Sequence, residues 1–330
     1  MRFGMFVPQG WRHDLVNIDP AKHWEVMNGI AQHADSNELW ESVWVYDHFH
    51  TVPIPSDQAT HEAWSLISGF AASTKRVRLG QMCTCMSYRN PAYLAKAATT
   101  ADIISGGRVE MGIGGGWYEH EWRAYGYGFP GIGERLGRLR EGVEIMKQAW
   151  TTGTATLDGK HYQVDNALFY PQPLQKPGIP FWISGGGEQN TLKIAAEYAQ
   201  YTNFGGDPET FARKSEILKQ HCDKAGTDFD AIVRSTNFNV MIGDSQADID
   251  RQIDALEARV RPYLGDATDG FLSEYRSPGA LAVGTPEQIV ERLAKQAEAG
   301  LGYTIFYFPD AAYSLEAVQR LEEEVLPHLA

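Results

Sequence analysis

The sequence predicts a single α/β domain over residues 1–330, a closed (β/α)8 TIM barrel with insertions at its C-terminal mouth. Three observations carry this. Eight short apolar segments alternate with helical periodicities. No internal repeat or low-complexity linker interrupts them. Gly-rich or acid–His punctuation follows four of the strands. Parallel strands need helical crossovers and covered faces, which the alternation supplies. In a β/α fold ligands sit beyond the C-terminal strand ends, so the four punctuations should converge on one mouth. An open doubly wound sheet is the alternative, but the glycines at 112 and 114 are followed by Trp117, which breaks the dinucleotide fingerprint.

In order, Arg2–Val7 reads as the first strand and Lys22–Asp35 as its helix. Ser42–Tyr46 is strand two with a helix at Glu62–Ser73, and Val77–Cys83 is strand three with a helix at Ala92–Ile104. Arg108–Ile113 is strand four, joined through an irregular stretch to a helix at Arg135–Trp150. Pro180–Ser184 and Tyr201–Phe204 are strands five and six, with helices at Thr191–Ala199 and Pro208–Ala225. Arg234–Ile242 is strand seven, followed by helices near Asp248–Tyr263 and Pro286–Ala299, and Tyr303–Phe308 is strand eight. Thr285 suits an N-cap, with Pro286 in the first turn and Ile289, Leu293 and Ala297 at helical spacing. Ser314 is read as the cap of a last helix over Leu315–Leu329, where apolar residues again repeat at helical spacing. The insertions fall at about 151–178, rich in Gly, Tyr, Gln and Pro and read as a hairpin, and at 262–283, a candidate lid.

Composition narrows the function. A formal net charge of −13 disfavours nucleic acid and anionic membrane surfaces as partners. Three cysteines, two of them as Cys83-x-Cys85, give neither a disulfide framework nor a zinc or redox C-x-x-C. No apolar run reaches the length of a membrane span, and no secretory signal precedes the first strand. A cytoplasmic protein acting on a small molecule is the expectation.

At the strand ends, Ser184-Gly185-Gly186-Gly187-Glu188 places bare backbone N–H groups at a helix start, where they can cradle phosphate; a tight turn without ligand accounts for triple glycine as well. Gly112–Trp117 makes a similar turn after strand four. The aromatics Trp117, Tyr118, Trp122, Tyr125 and Tyr127 then suit a planar ligand, or a cluster that merely shields the barrel mouth. Asp47-His48 can accept hydrogen bonds from a ring and move a proton, or be a paired loop start. His48 and His50 form an H-x-H, but the later strand ends offer only Asn203 and Asp310, so no metal site is expected.

Through Met1–Gln9, Ser42–Phe49, Tyr88–Lys96, Thr100–Trp117, Gly126–Arg140, Phe181–Leu192 and Val283–Leu293, the chain resembles the luciferase-like monooxygenase superfamily, specifically its coenzyme F420-dependent oxidoreductase branch. Ser105-Gly106-Gly107-Arg108 leading into Gly112–Trp117 is the most specific element. The resemblance implies a luciferase-like barrel holding F420, or alternatively FMN, in its mouth. By position it assigns Asp47 and His48 to the ring or side chain of the cofactor, and Gly114 and Trp117 to the glycine turn beside it. Met82 and Cys83 fall where members often hold a non-prolyl cis peptide. Ser184, Gly185 and Gly186 fall on the phosphate loop, with Asn203 nearby. The family's glucose-6-phosphate dehydrogenases carry Glu and Asn just after the strand-four glycines. This chain has Trp117 and His120, which puts sugar-phosphate oxidation in doubt and leaves His48 and His120 as candidate proton carriers. Arg89, Arg135 and Arg138 are either contacts for a polyglutamate tail or solvated surface cations. The functions implied are F420-dependent hydride transfer, an FMN-dependent monooxygenase using oxygen, or a silent cofactor-binding protein. Homodimers are common in the superfamily.

Overall fold

In the computed structural model, which describes residues 1–277 and 280–330, eight parallel strands close into a barrel. They are β1 (Arg2–Phe6), β2 (Ser42–Val45), β3 (Arg78–Gln81), β4 (Val109–Gly114), β5 (Phe181–Ser184), β6 (Tyr201–Asn203), β7 (Val233–Asn239) and β8 (Tyr303–Tyr307). Each pairs with its successor, and β8 returns to β1 with Arg2 opposite Tyr303 and Met5 opposite Phe306. Helices between successive strands cover the outside, so the strands are apolar on their outer faces as well.

The barrel is filled rather than hollow. Phe6, Trp44, Trp182, Tyr303, Ile305 and Tyr307 form one buried cluster, and Trp44 meets Trp182 edge-on with ring centroids 4.6 Å apart. Room for Trp44 comes from glycine: a Cβ on Gly80 would lie 2.3 Å from the Trp44 ring. Glu110 is buried beneath this layer, accepts from Trp182 Nε1 at 2.7 Å and pairs with Arg78. Burial raises its pKa, with Arg78 acting against that rise.

Several boundaries differ from the sequence expectation for local physical reasons. Strand three stops at Gln81; after a cis Met82–Cys83 peptide, Thr84–Cys85 resumes the ladder beside Ile113–Gly114 of β4. The predicted seventh strand breaks after Asn239, and Met241–Ile242 instead pairs with Val283–Gly284 in a two-stranded parallel sheet. The irregular stretch after β4 contains a short helix, Glu119–Ala124. The final helix runs only over Glu316–Glu324, because Pro327 cannot supply the N–H a continuing helix needs, and a 3-10 turn follows. Ser314 Oγ accepts from Glu316 N at 3.1 Å, but Leu315, not Ser314, is the residue at the helix start. Thr285 caps Pro286–Glu298 as expected, in a reciprocal capping box with Gln288.

The excursion at 151–178 contains an antiparallel hairpin, Thr154–Asp158 with Gln163–Leu168. The segment 262–283 is more regular than a loop. The helix Gln246–Leu264 runs through Pro262, and a further helix spans Thr268–Arg276. Residues 278 and 279 of the expected lid lie outside the described residues. These helices and the small parallel sheet form a second core, including Ile253, Leu256, Val260, Phe271, Leu272 and Tyr275, apart from the barrel's own. Among the described residues no helix is long and apolar enough to cross a membrane.

Candidate active site

The C-terminal ends of β2, β3, β4 and β5 enclose a cleft of about 300 Å³. It is lined by Asp47, His48, Met82, Cys83, Gly114, Trp117, Ser184 and Gly185 from the sequence prediction. Gly186, Asn203 and His120 are not in its lining.

Asp47 sits where β2 ends, with its side chain fully buried. Both carboxylate oxygens meet the Arg89 guanidinium, at 2.7 and 2.9 Å, and Oδ2 also accepts from Cys85 N at 2.9 Å. A bidentate pair of this kind fixes geometry as well as charge. Arg89 also reaches Glu62 at 2.6 Å, and Glu62 in turn caps the helix Ala63–Ser73. The Tyr88-Arg89-Asn90-Pro91 motif is thus divided. Asn90 caps the helix Pro91–Ser105, while Arg89 braces Asp47, whose carboxylate ties the end of β2 to the strand Thr84–Cys85. Arg89 is therefore an internal brace and not a solvated cation. Arg135 is likewise buried, donating to Gly116 O and lying over the Phe129 ring at 4.3 Å, whereas Arg138 pairs with Glu134 on the helix surface.

His48 is held on three sides. Its ring stacks on Trp11 at 4.6 Å, Trp117 approaches edge-on at 5.7 Å, and Nδ1 lies 3.0 Å from Glu121 Oε2. Glu121 is fully buried and also accepts from Phe49 N at 2.7 Å, His50 N at 2.8 Å and Tyr88 Oη at 3.0 Å. Burial alone would raise the Glu121 pKa, but His48 and these backbone donors outweigh it and hold it below its ordinary value. An ionised carboxylate only accepts, so His48 Nδ1 carries the proton toward Glu121 and Nε2 is the nitrogen left to exchange one.

Glu121 is the main residue that sequence reasoning missed. The signal was present: Tyr118, Glu121 and Trp122 share one face at i, i+3 and i+4, so a carboxylate sits on the buried side of the short helix. Trp11, from the loop after β1, gave no such signal.

His120 is exposed at the rim, where its Nδ1 faces His50 Nδ1 at 3.1 Å. Among the described residues no three metal-ligating side chains converge. Asn203 is buried, but its Nδ2 is spent on Ser235 Oγ at 3.0 Å and Asn237 Oδ1 at 2.9 Å; only its carbonyl reaches the glycine loop, accepting from Gly185 N at 2.8 Å. Gly185 has φ +120°, a backbone that side chains rarely adopt. A Cβ on Gly186 would fall 2.2 Å from Lys214 Nζ, so bare backbone lies directly against an ammonium group. In the cleft itself, burial pushes the Cys83 thiol up to about 11, leaving it protonated and unreactive at neutral pH.

A family model for luciferase-like monooxygenases matches residues 1–302. An F420-dependent glucose-6-phosphate dehydrogenase of Gordonia bronchialis is 25% identical over 97% of this chain and 96% of its own length. A pyrimidine monooxygenase, RutA, of Stutzerimonas stutzeri is 30% identical over 50% of this chain and 46% of its own. Among solved structures, an F420-dependent secondary alcohol dehydrogenase in complex with an F420-acetone adduct superposes with a TM-score of 0.78 at 19% identity, covering 100% of this chain and 99% of that one.

Proposed function

The chain belongs to the luciferase-like monooxygenase family, and within it we propose an F420-dependent oxidoreductase acting on a small organic substrate. The observation that carries this reading is the His48–Glu121 pair, a ring nitrogen free for proton exchange at the edge of a cleft with bare glycine backbone along it. F420-dependent relatives over nearly the whole chain support the choice of cofactor.

The residues present fit such a group. Gly114 lets the strand ends that form the cleft floor pack closely, since a Cβ there would lie 2.8 Å from Cys83 Sγ and 3.2 Å from Ser184 O. Gly185 N is committed to Asn203 O, so it is the Gly186 backbone, with Thr191 beside the loop and Lys214 Nζ against it, that offers the polar contacts and positive charge a phosphate requires. A bound deazaflavin would supply hydride exchange with the substrate. Trp11, Trp117 and Tyr118 keep water from the cleft wall and orient what enters. Through Nε2, His48 gives or takes the substrate proton, and Glu121 stabilises the imidazolium when it forms.

FMN is the second reading, favoured by the match to pyrimidine monooxygenase over half the chain. Paired fluorescence-quenching titrations of F420 and FMN decide between them. Tight F420 binding with weak FMN binding is expected; tight FMN binding alone moves the oxygen-using reading to first place.

Gly185→Val is expected to weaken F420 binding by at least about tenfold, because a branched side chain is strained at φ +120° and obstructs the loop. Full affinity in that variant would remove the loop from the site. His48→Asn is expected to lower kcat about a hundredfold with the F420 Kd changed less than about threefold. His120→Ala, placed at the rim, should leave kcat within about twofold of the parent in the same assay. The reverse ranking would transfer proton exchange to His120.

A further inference from the structure

We propose that the cavity between Trp11, Trp117 and the helix Thr268–Arg276 is the substrate chamber, and that Arg12 binds a carboxylate of the substrate there in place of Glu274. This deepens the oxidoreductase reading and rests on it, because the chamber adjoins the cofactor cleft through Trp11 and Trp117, which line both.

The chamber encloses about 360 Å³. Trp11, Val52, Pro53, Trp117 and Phe271 make it mainly apolar and aromatic, and Arg12 is the cation in its lining. The guanidinium is clamped among three rings, at 4.7 Å from Phe271, 5.2 Å from Tyr307 and 5.5 Å from Trp11. Arg12 keeps only 8% of its surface. Yet its hydrogen bonding is incomplete: Nη2 donates to Glu274 Oε2 at 2.8 Å and the buried Tyr275 hydroxyl lies beside the guanidinium, while Nε makes no well-formed hydrogen bond among the described residues. A guanidinium carries five N–H donors, and buried ones left unmet call for a ligand.

Glu274 is placed to yield. Its side chain is 46% exposed, and the oxygen that meets Arg12 also accepts from Asn239 Nδ2 at 2.8 Å. Removing a carboxylate from a buried guanidinium is costly, whereas exchanging one carboxylate for another keeps the charge paired throughout. The chamber thus selects an organic acid with an apolar or aromatic body. Glu274 and Asp266 with the surrounding rings also describe a site for an ammonium group. Glu274 is already engaged twice, and the buried unmet donor lies on Arg12, which favours the acid.

The test uses benzoate, benzamide and benzylammonium as probes in calorimetric titrations of the full chain. Benzoate is expected to bind roughly tenfold more tightly than benzamide. Glu274→Gln, which removes the competing charge at a half-exposed position, should tighten benzoate by about tenfold and leave benzamide within about twofold. Arg12→Met should erase the preference for benzoate; if that variant does not fold, Glu274→Gln decides alone. Equal binding of benzoate and benzamide overturns the proposal, as does tightest binding of benzylammonium or loss of benzoate affinity in Glu274→Gln. F420 titrated into the same samples separates the two readings. The expected benzoate preference without F420 binding upholds the acid-binding chamber and rejects the cofactor. F420 binding without the preference does the reverse.

Discussion

Glu121→Ala is expected to be the most destabilising single substitution at the barrel mouth, by about 3–5 kcal/mol in denaturant unfolding. The loss follows from what the carboxylate holds. Its removal leaves Phe49 N, His50 N, Tyr88 Oη and His48 Nδ1 with no acceptor at a fully buried position. The effect should also depend on pH in a definite sense. The Glu121 pKa is lowered in the folded state, because its donors outweigh the cost of burial. Its stabilisation is therefore complete above the ordinary value of 4.5 and fades as pH falls through the lower folded value. Parent and variant unfolding curves should draw together as pH falls below 4.5. A gap of under about 1 kcal/mol at neutral pH, or one that widens in acid, would show that Glu121 is not the ionised anchor described. Glu121→Gln adds a functional readout. An amide can donate to Nδ1 and so moves the His48 proton to Nε2, and the pH dependence of kcat should shift with it.

The second large effect is expected at Asp47. Asp47→Ala strips the bidentate partner from Arg89, whose side chain is only 11% exposed, and removes the acceptor for Cys85 N. A loss of about 3 kcal/mol is expected, with F420 affinity falling by at least about tenfold as the cleft wall loosens. Arg89→Ala should cost a similar amount, but the double variant should cost much less than the sum, because the buried Asp47 carboxylate is then not left without its guanidinium. Strictly additive losses in that cycle would mean that the pair contributes nothing as a pair.

The architecture was legible because the barrel's rules are local. Alternating apolar segments and helical periodicities place all eight strands, and the Thr285–Pro286 cap marks its helix start correctly. The misread boundaries turn on long-range pairing: Met241 and Ile242 have strand-like sequences, but their partners are Val283 and Gly284 and not the barrel. The site was legible where chemistry is concentrated at a strand end, as at Asp47-His48 and Gly114. It was illegible where a residue acts through the fold. Nothing in the spacing joins Asp47 to Arg89 or His48 to Glu121, 42 and 73 positions apart. His120 and Glu121 are neighbours in the same aromatic segment, but the fold leaves His120 exposed at the rim and buries Glu121 against His48.

The separate core beneath the helix Thr268–Arg276 bears on how such a molecule diversifies. Leu272 is packed in the cluster of Ile253, Leu256 and Val260, while Phe271, Glu274 and Tyr275 on the same helix face Arg12. Changes on the face of that helix turned to the small cluster are therefore absorbed there. The barrel can keep its strand register while one flank of its mouth accumulates substitutions, so a lineage can acquire a new specificity here without first gaining spare stability elsewhere.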